Sequence, residues 1–134
     1  MDFNQTIIEE FRSNKGVVGG GFAGAPMVLL HTTGAKTGAE RINPLVSQPQ
    51  DDGTIYVFAS AAGAPKSPDW YYNLVANPTV TVEFGEETFE ATATPVTGDD
   101  RDRIYADQVK VFPGFGEYEE KTTRIIPVVA LTRN

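Results

Sequence analysis

Three stretches of this chain concentrate side chains able to bind or react. The first runs Thr32-Thr33-Gly34-Ala35-Lys36-Thr37-Gly38-Ala39-Glu40-Arg41-Ile42-Asn43-Pro44-Leu45. Its glycines predict a tight turn, with Lys36 and Arg41 brought close at the two ends of the loop. An arginine fork and a lysine point charge are suited to phosphate or carboxylate. The second runs Ala59-Ser60-Ala61-Ala62-Gly63-Ala64-Pro65-Lys66-Ser67-Pro68-Asp69-Trp70-Tyr71-Tyr72-Asn73. Small residues there let backbone N–H groups approach a ligand, and a helix start beyond them favours anions. Lys66 adds charge, and Trp70, the only tryptophan, suits either a pocket wall or packing between helix and barrel. The third places Phe112, Phe115 and Tyr118 at every third residue between glycines and a proline. Such a stripe is ordinarily core, but this composition makes a poor packing helix, which favours a pocket wall.

Other motifs carry less. Gly19-Gly20-Gly21-Phe22-Ala23-Gly24 satisfies G-x-G-x-x-G, yet follows a helical pattern and precedes a strand, the reverse of a dinucleotide-binding context. A flexible lid or hinge is the better expectation. Gly34-Ala35-Lys36-Thr37-Gly38 lacks P-loop spacing. His31, the only histidine, sits in an apolar strand with no nucleophile elbow in the chain, and reads as a satisfied barrel histidine. With no cysteine and its carboxylates in solvated clusters, the chain offers poor metal ligands.

Elements that could position these segments follow from periodicity. Phe3, Ile7, Ile8 and Phe11 recur at helical spacing, predicting a helix over 2–13, followed by a glycine-rich flexible segment over 16–26. Strands are expected at 27–33, 41–48, 54–60, 79–84, 88–96 and 125–132, with Asp52-Gly53 as a hairpin turn. Ser67-Pro68-Asp69 predicts a helix start with Ser67 as cap and Pro68 in the first turn, and Asn77-Pro78 a stop. Two more helices are expected at 99–111 and 113–121. Six mainly antiparallel strands with helices at the ends suggest a closed or partly open barrel in an α+β fold.

The whole chain bounds the function. At 134 residues it suits a single domain, with a core that needs no staples. A net charge of −7 argues against nucleic acid and anionic membranes as partners. It leaves room for a small anionic ligand held by a local cluster of cations. No targeting segment is read in residues 1–15, and the absence of cysteine fits a reducing compartment, so the expected location is cytoplasmic.

The combination Thr32-Thr33-Gly34-x-Lys36-x-Gly38, Arg41-x-Asn43-Pro44-Leu45, Gly63-x-x-Lys66-x-Pro68-x-Trp70-Tyr71-x-Asn73-Leu74-x-x-Asn77-Pro78 and Thr122-x-Arg124-x-Ile126-Pro127-Val128 resembles the signature of the deazaflavin-dependent nitroreductases over about residues 27–132. The resemblance implies a six-stranded split β-barrel of the FMN-binding, pyridoxamine-phosphate-oxidase-like type with flanking helices. It also implies coenzyme F420 as cofactor, and a hydride passed to a quinone, nitroaromatic or similar electron-poor small molecule. On it, Lys36 and Arg41 hold the anionic tail. The ring lies along Asn43, Pro44, Leu45, Ala59 and Ser60, and Lys66, Pro68, Trp70 and Asn73 complete the wall. Trp70, Phe112, Phe115 and Tyr118 line the acceptor pocket, with Ser60 and Tyr118 as hydrogen-bond or proton donors to the acceptor oxygen.

Departures from that pattern are Ala35, where many relatives carry a second cation; Ala61, where some carry lysine; and Phe112 and Phe115, where nitro-active relatives tend to carry tyrosine. The alternative is the same barrel binding F420, FMN, haem or a lipid without turnover. A further alternative uses the first helix as a membrane or partner anchor, and its few cations weigh against the membrane version. The state expected is monomer or homodimer.

Overall fold

A computed structural model describes residues 3–20 and 24–134. Six strands form a closed antiparallel barrel: β1 (Met27–Thr33), β2 (Glu40–Pro49), β3 (Ile55–Phe58), β4 (Thr79–Phe84), β5 (Glu87–Val96) and β6 (Val128–Arg133), in the ring order β1-β2-β3-β6-β5-β4. Helix α1 (Phe3–Ser13) precedes the barrel, α2 (Asp69–Ala76) lies between β3 and β4, and α3 (Gly98–Val111) and α4 (Gly114–Lys121) lie between β5 and β6.

Alternation along the strands fills the interior. Val80 and Val82 of β4, Ala91 and Ala93 of β5, and Val129 and Leu131 of β6 are buried together with Val28, Leu30, Ile55 and Val57. Each lies two residues from the next in its strand, the period of a pleated face. The small side chains at 91 and 93 leave space in a cluster that also takes Trp70 and Leu74 from α2. A second cluster, with Phe58, Ile104, Tyr105, Phe115 and Ile126, packs α3 and α4 on the barrel. A third, with Ile7, Phe11, Val18, Met27 and Leu29, packs α1.

The ladders differ in length. β1 and β2 pair along all of Met27–Thr33, whereas β1 meets β4 only over Leu29–His31 and β2 meets β3 only over Ser47–Pro49.

Several element ends differ from the sequence expectation, each for a traceable reason. The third strand stops at Phe58 rather than Ser60, because the carbonyls of Ala59 and Ser60 turn to accept from Arg124. The last strand begins at Val128 rather than Ile125: the Ile126 carbonyl accepts from Arg101 Nε, and the Pro127 carbonyl from the Ala59 N–H. Ser67 does not cap α2. Pro68 flanks the helix in extended conformation, and the Ser67 hydroxyl accepts from Arg124 Nη1 instead. Phe112, Phe115 and Tyr118 do not share one helix face, since Phe112 ends α3 and only the other two lie on α4.

Part of the glycine-rich segment is tied down. The Gly16 N–H donates to the Phe11 carbonyl, the Gly19 N–H to Glu10 Oε2, and Val18 is buried. Gly16 has φ +92°, and a Cβ there would lie 2.8 Å from Gly85 Cα, so two backbones touch where α1 ends on the β4–β5 turn. Residues 21–23 of the expected lid or hinge lie outside the described residues.

Candidate active site

The β1–β2 hairpin turn is closed by Gly34 N–H to the Ala39 carbonyl (2.7 Å) and Gly38 N–H to the Gly34 carbonyl (2.9 Å), with Gly38 at φ +73°. Asn73 on α2 pins this turn. Its Oδ1 accepts from the Ala35 N–H at 3.0 Å, and its Nδ2 donates to Thr32 Oγ1 at 3.3 Å. Asn77 adds a bond from Nδ2 to the Thr33 carbonyl. Asn73 thus braces the hairpin turn through both ends of its amide, and it also lines the cavity beside that turn.

Lys36 and Arg41 project from the hairpin into a cavity of about 990 Å³, walled on one side by α1 and on the other by the start of α2. Neither makes an ion pair among the described residues. Arg12 also borders the cavity, but its guanidinium grips Glu83 through Nε (3.1 Å) and Nη2 (2.7 Å). The Arg12 hydrogen bond draws the Glu83 carboxyl below its ordinary range. On the same carboxylate, Oε2 lies 2.6 Å from His31 Nε2, and His31 Nδ1 lies 3.4 Å from Glu40. His31 is therefore a satisfied barrel histidine, as its strand context predicts. Glu9 and Asp69 also border the cavity.

A second cavity, of about 450 Å³, shares Pro68 and Trp70 with the first. Its wall takes Pro44 and Leu45 from β2, Ser60 and Ala61 from the loop after β3, and Phe112, Phe115 and Tyr118 from the α3–α4 junction. No charged side chain among the described residues lines it. The ring centres of Phe115 and Phe58 lie 5.5 Å apart, and those of Phe115 and Tyr118 5.3 Å, both edge-on. The hydroxyls of Ser60 and Tyr118 make no hydrogen bond among the described residues, so both remain available to a ligand.

The two cavities bring together Lys36, Arg41, Asn43, Pro44, Leu45, Ser60, Pro68, Trp70, Asn73, Phe112, Phe115 and Tyr118. Ala59 is fully buried and Lys66 is exposed, and neither lines either of these two cavities. Arg124 was given no role by the sequence reading. Its signal was its place in the Thr122-x-Arg124-x-Ile126-Pro127-Val128 motif, which marks the position without saying what the guanidinium holds.

The chain from residue 4 to 133 matches the family model described as F420H(2)-dependent quinone reductase. It is 40% identical over 127 residues to an F420H(2)-dependent quinone reductase of Mycobacterium tuberculosis, a match covering 92% of this chain and 85% of the relative. A solved F420-H2 dependent reductase superposes with TM-score 0.71 at 40% identity, over 79% of this chain and 93% of the other. Likeness of fold alone extends to a protein of the pyridoxinephosphate oxidase family from Clostridium acetobutylicum, with TM-score 0.57 at 11% identity, over 81% of this chain and 75% of the other. The split barrel implied by the sequence is thus the observed fold. A match along nearly the whole chain, joined to a relative this similar, means that the chain belongs to the F420H2-dependent quinone reductase family.

Proposed function

We propose that the chain is an F420H2-dependent reductase in which the large cavity takes the cofactor's anionic tail and the smaller one holds the reacting partners. The observation that carries this reading is the division of chemistry between two adjoining cavities. Among the described residues, one has two cations without ion pairs in its wall; the other, across Pro68 and Trp70, has no charged side chain. A long ligand with an anionic end and a flat, less polar end fits such a pair.

Lys36 and Arg41 neutralise the tail locally, against a chain whose net charge is −7. Asn43, Pro44, Leu45 and Ser60 border the ring, with Trp70 as the shared wall. The bound cofactor supplies a hydride. The protein's part is to orient the acceptor against it, keep water out and stabilise the charge that builds on the acceptor oxygen. Phe112, Phe115 and Trp70 present an apolar wall to a flat, uncharged acceptor such as a quinone or nitroaromatic. Tyr118 and Ser60 carry the free hydroxyls able to donate to that oxygen. No helix among the described residues is long and apolar enough to cross a membrane. A cytoplasmic location belongs to the same proposal.

The test is titration of the purified protein with F420 and, separately, with FMN, followed by ligand fluorescence, and then turnover of reduced F420 with menadione and nitroaromatics. Saturable binding of F420 in preference to FMN, with acceptor reduction, is the expected result. Binding of FMN alone, or tight F420 binding with no acceptor reduced, would replace the reading with a non-catalytic binding protein.

A further inference from the structure

We infer that Arg124 is a positioning residue for the acceptor cavity: its guanidinium sets the shape of the 59–67 loop and thereby the placement of Ser60. This rests on the reductase reading of that cavity. Arg124 precedes β6, yet all its side-chain bonds reach back more than fifty residues. Nε donates to the Ala64 carbonyl at 2.8 Å, Nη2 to the Ser60 carbonyl at 2.7 Å, and Nη1 to the Ala59 carbonyl at 3.1 Å and to Ser67 Oγ at 3.2 Å. Four neutral acceptors on one guanidinium, with no carboxylate paired to it among the described residues, make an unusual use of an arginine. A planar fork with donors on three nitrogens can hold several carbonyls at once, which an ammonium cannot.

What is held is strained. Ala61 has φ +46°, a left-handed conformation that a residue with a Cβ rarely adopts. Such geometry persists only where the surroundings impose it. Arg124 grips the carbonyls on both sides of Ala61, at Ser60 and Ala64. From the other side the loop is pressed on α4. Gly63 sits at φ +81°, where a Cβ would lie 2.8 Å from Lys121 Cβ and 2.9 Å from the Tyr118 carbonyl. The loop bearing Ser60 and the helix bearing Tyr118 thus meet backbone to backbone. Their spacing across the cavity is set on the loop side by Arg124, which itself lines neither cavity.

The test compares Arg124→Met, Arg124→Lys and Ser67→Ala with the parent protein. Four quantities are read: the thermal midpoint, the F420 dissociation constant, kcat with menadione, and the emission of Trp70, the only tryptophan. In folded Arg124→Met, kcat is expected to fall about 10- to 100-fold, the size of effect a misplacement near 1 Å produces. The F420 dissociation constant should change less than about fivefold, because the two cations proposed to hold the tail, Lys36 and Arg41, lie on the β1–β2 hairpin, which Arg124 does not contact through its side-chain bonds. Trp70 emission should shift to the red as the wall beside Pro68 loosens. Arg124→Lys should recover only part of kcat, and Ser67→Ala should lose a few-fold.

A folded Arg124→Met with parental kcat would overturn the inference, as would parallel loss of kcat, F420 affinity and thermal midpoint. If Arg124→Met does not fold, Ser67→Ala decides: a kcat loss with intact F420 binding supports the inference, and unchanged kcat overturns it. If the parent protein reduces no acceptor, the reductase reading has failed. Trp70 emission then still decides whether Arg124 shapes this wall, a red shift supporting it and an unchanged spectrum overturning it.

Discussion

Lys36 and Arg41 are the residues on which affinity should turn. Lys36→Ala is expected to weaken F420 binding by about 1–3 kcal/mol, roughly 5- to 150-fold in Kd, with little change in kcat. Added salt should narrow the gap between parent and variant, since both cations are exposed. Tyr118→Phe probes the opposite quantity. It should lower kcat about tenfold while the F420 dissociation constant stays put, if the phenol stabilises charge on the acceptor oxygen. Stopped-flow turnover with menadione separates the two cases, and unchanged rates with several acceptors would remove Tyr118 from the chemistry. At this scale the sequence was readable where chemistry is local. The Thr32–Leu45 stretch announces its own turn and cations. Arg124 was not readable in role, because its acceptors lie 57 to 65 residues away along the chain. Asn73 was readable as part of the site but not as a brace, since its partners Thr32 and Ala35 lie on another element.

Helix α1 reaches the barrel through a polar joint, Arg12 to Glu83 to His31, beside the apolar cluster around Phe11. Glu83 sits below its ordinary value of 4.5 because it accepts from Arg12. A carboxyl depressed on folding adds stability above that value and loses it as pH falls through the lower, folded one. Glu83→Gln should therefore cost about 1–2 kcal/mol near neutrality. The parent and variant stability curves, from urea unfolding at each pH, should converge as pH falls below the folded carboxyl's lowered value. β2 makes a contrary prediction. Ser47 is buried with an Oγ that finds no partner among the described residues. Ser47→Ala removes an unpaired hydroxyl without opening a large hole, so it should leave stability unchanged or raise it by up to about 1 kcal/mol. A lowered urea midpoint at constant m would contradict that. Strand interiors were legible because Val80, Val82, Ala91 and Ala93 alternate with polar neighbours. Strand and helix ends were not, because they depend on which distant donor claims the next carbonyl, as at Ala59, Ser60 and Ile126.

Over the whole molecule, a net charge of −7 sets a repulsive background for anions, against which the proposed function gives Lys36 and Arg41 the task of holding one. The barrel closes through ladders of unequal length, and this has a consequence for breathing motions. The β1–β2 hairpin, which carries both cations, is joined to the other four strands only through Leu29–His31 and Ser47–Pro49. Outside those ladders, Asn73, Asn77 and α1 hold it, as do the His31–Glu83 contact and the bonds from Gln48 to α3. The hairpin should then detach as one cooperative unit at lower free energy than the β4-β5-β6 sheet. Native-state amide hydrogen exchange would show it as a shared exchange rate across Met27–Thr33 and Glu40–Pro49, faster than that of Ala91–Val96. A ligand lying across Lys36 and Arg41 would slow that same group of amides together, making the hairpin a latch whose opening governs how long the ligand stays.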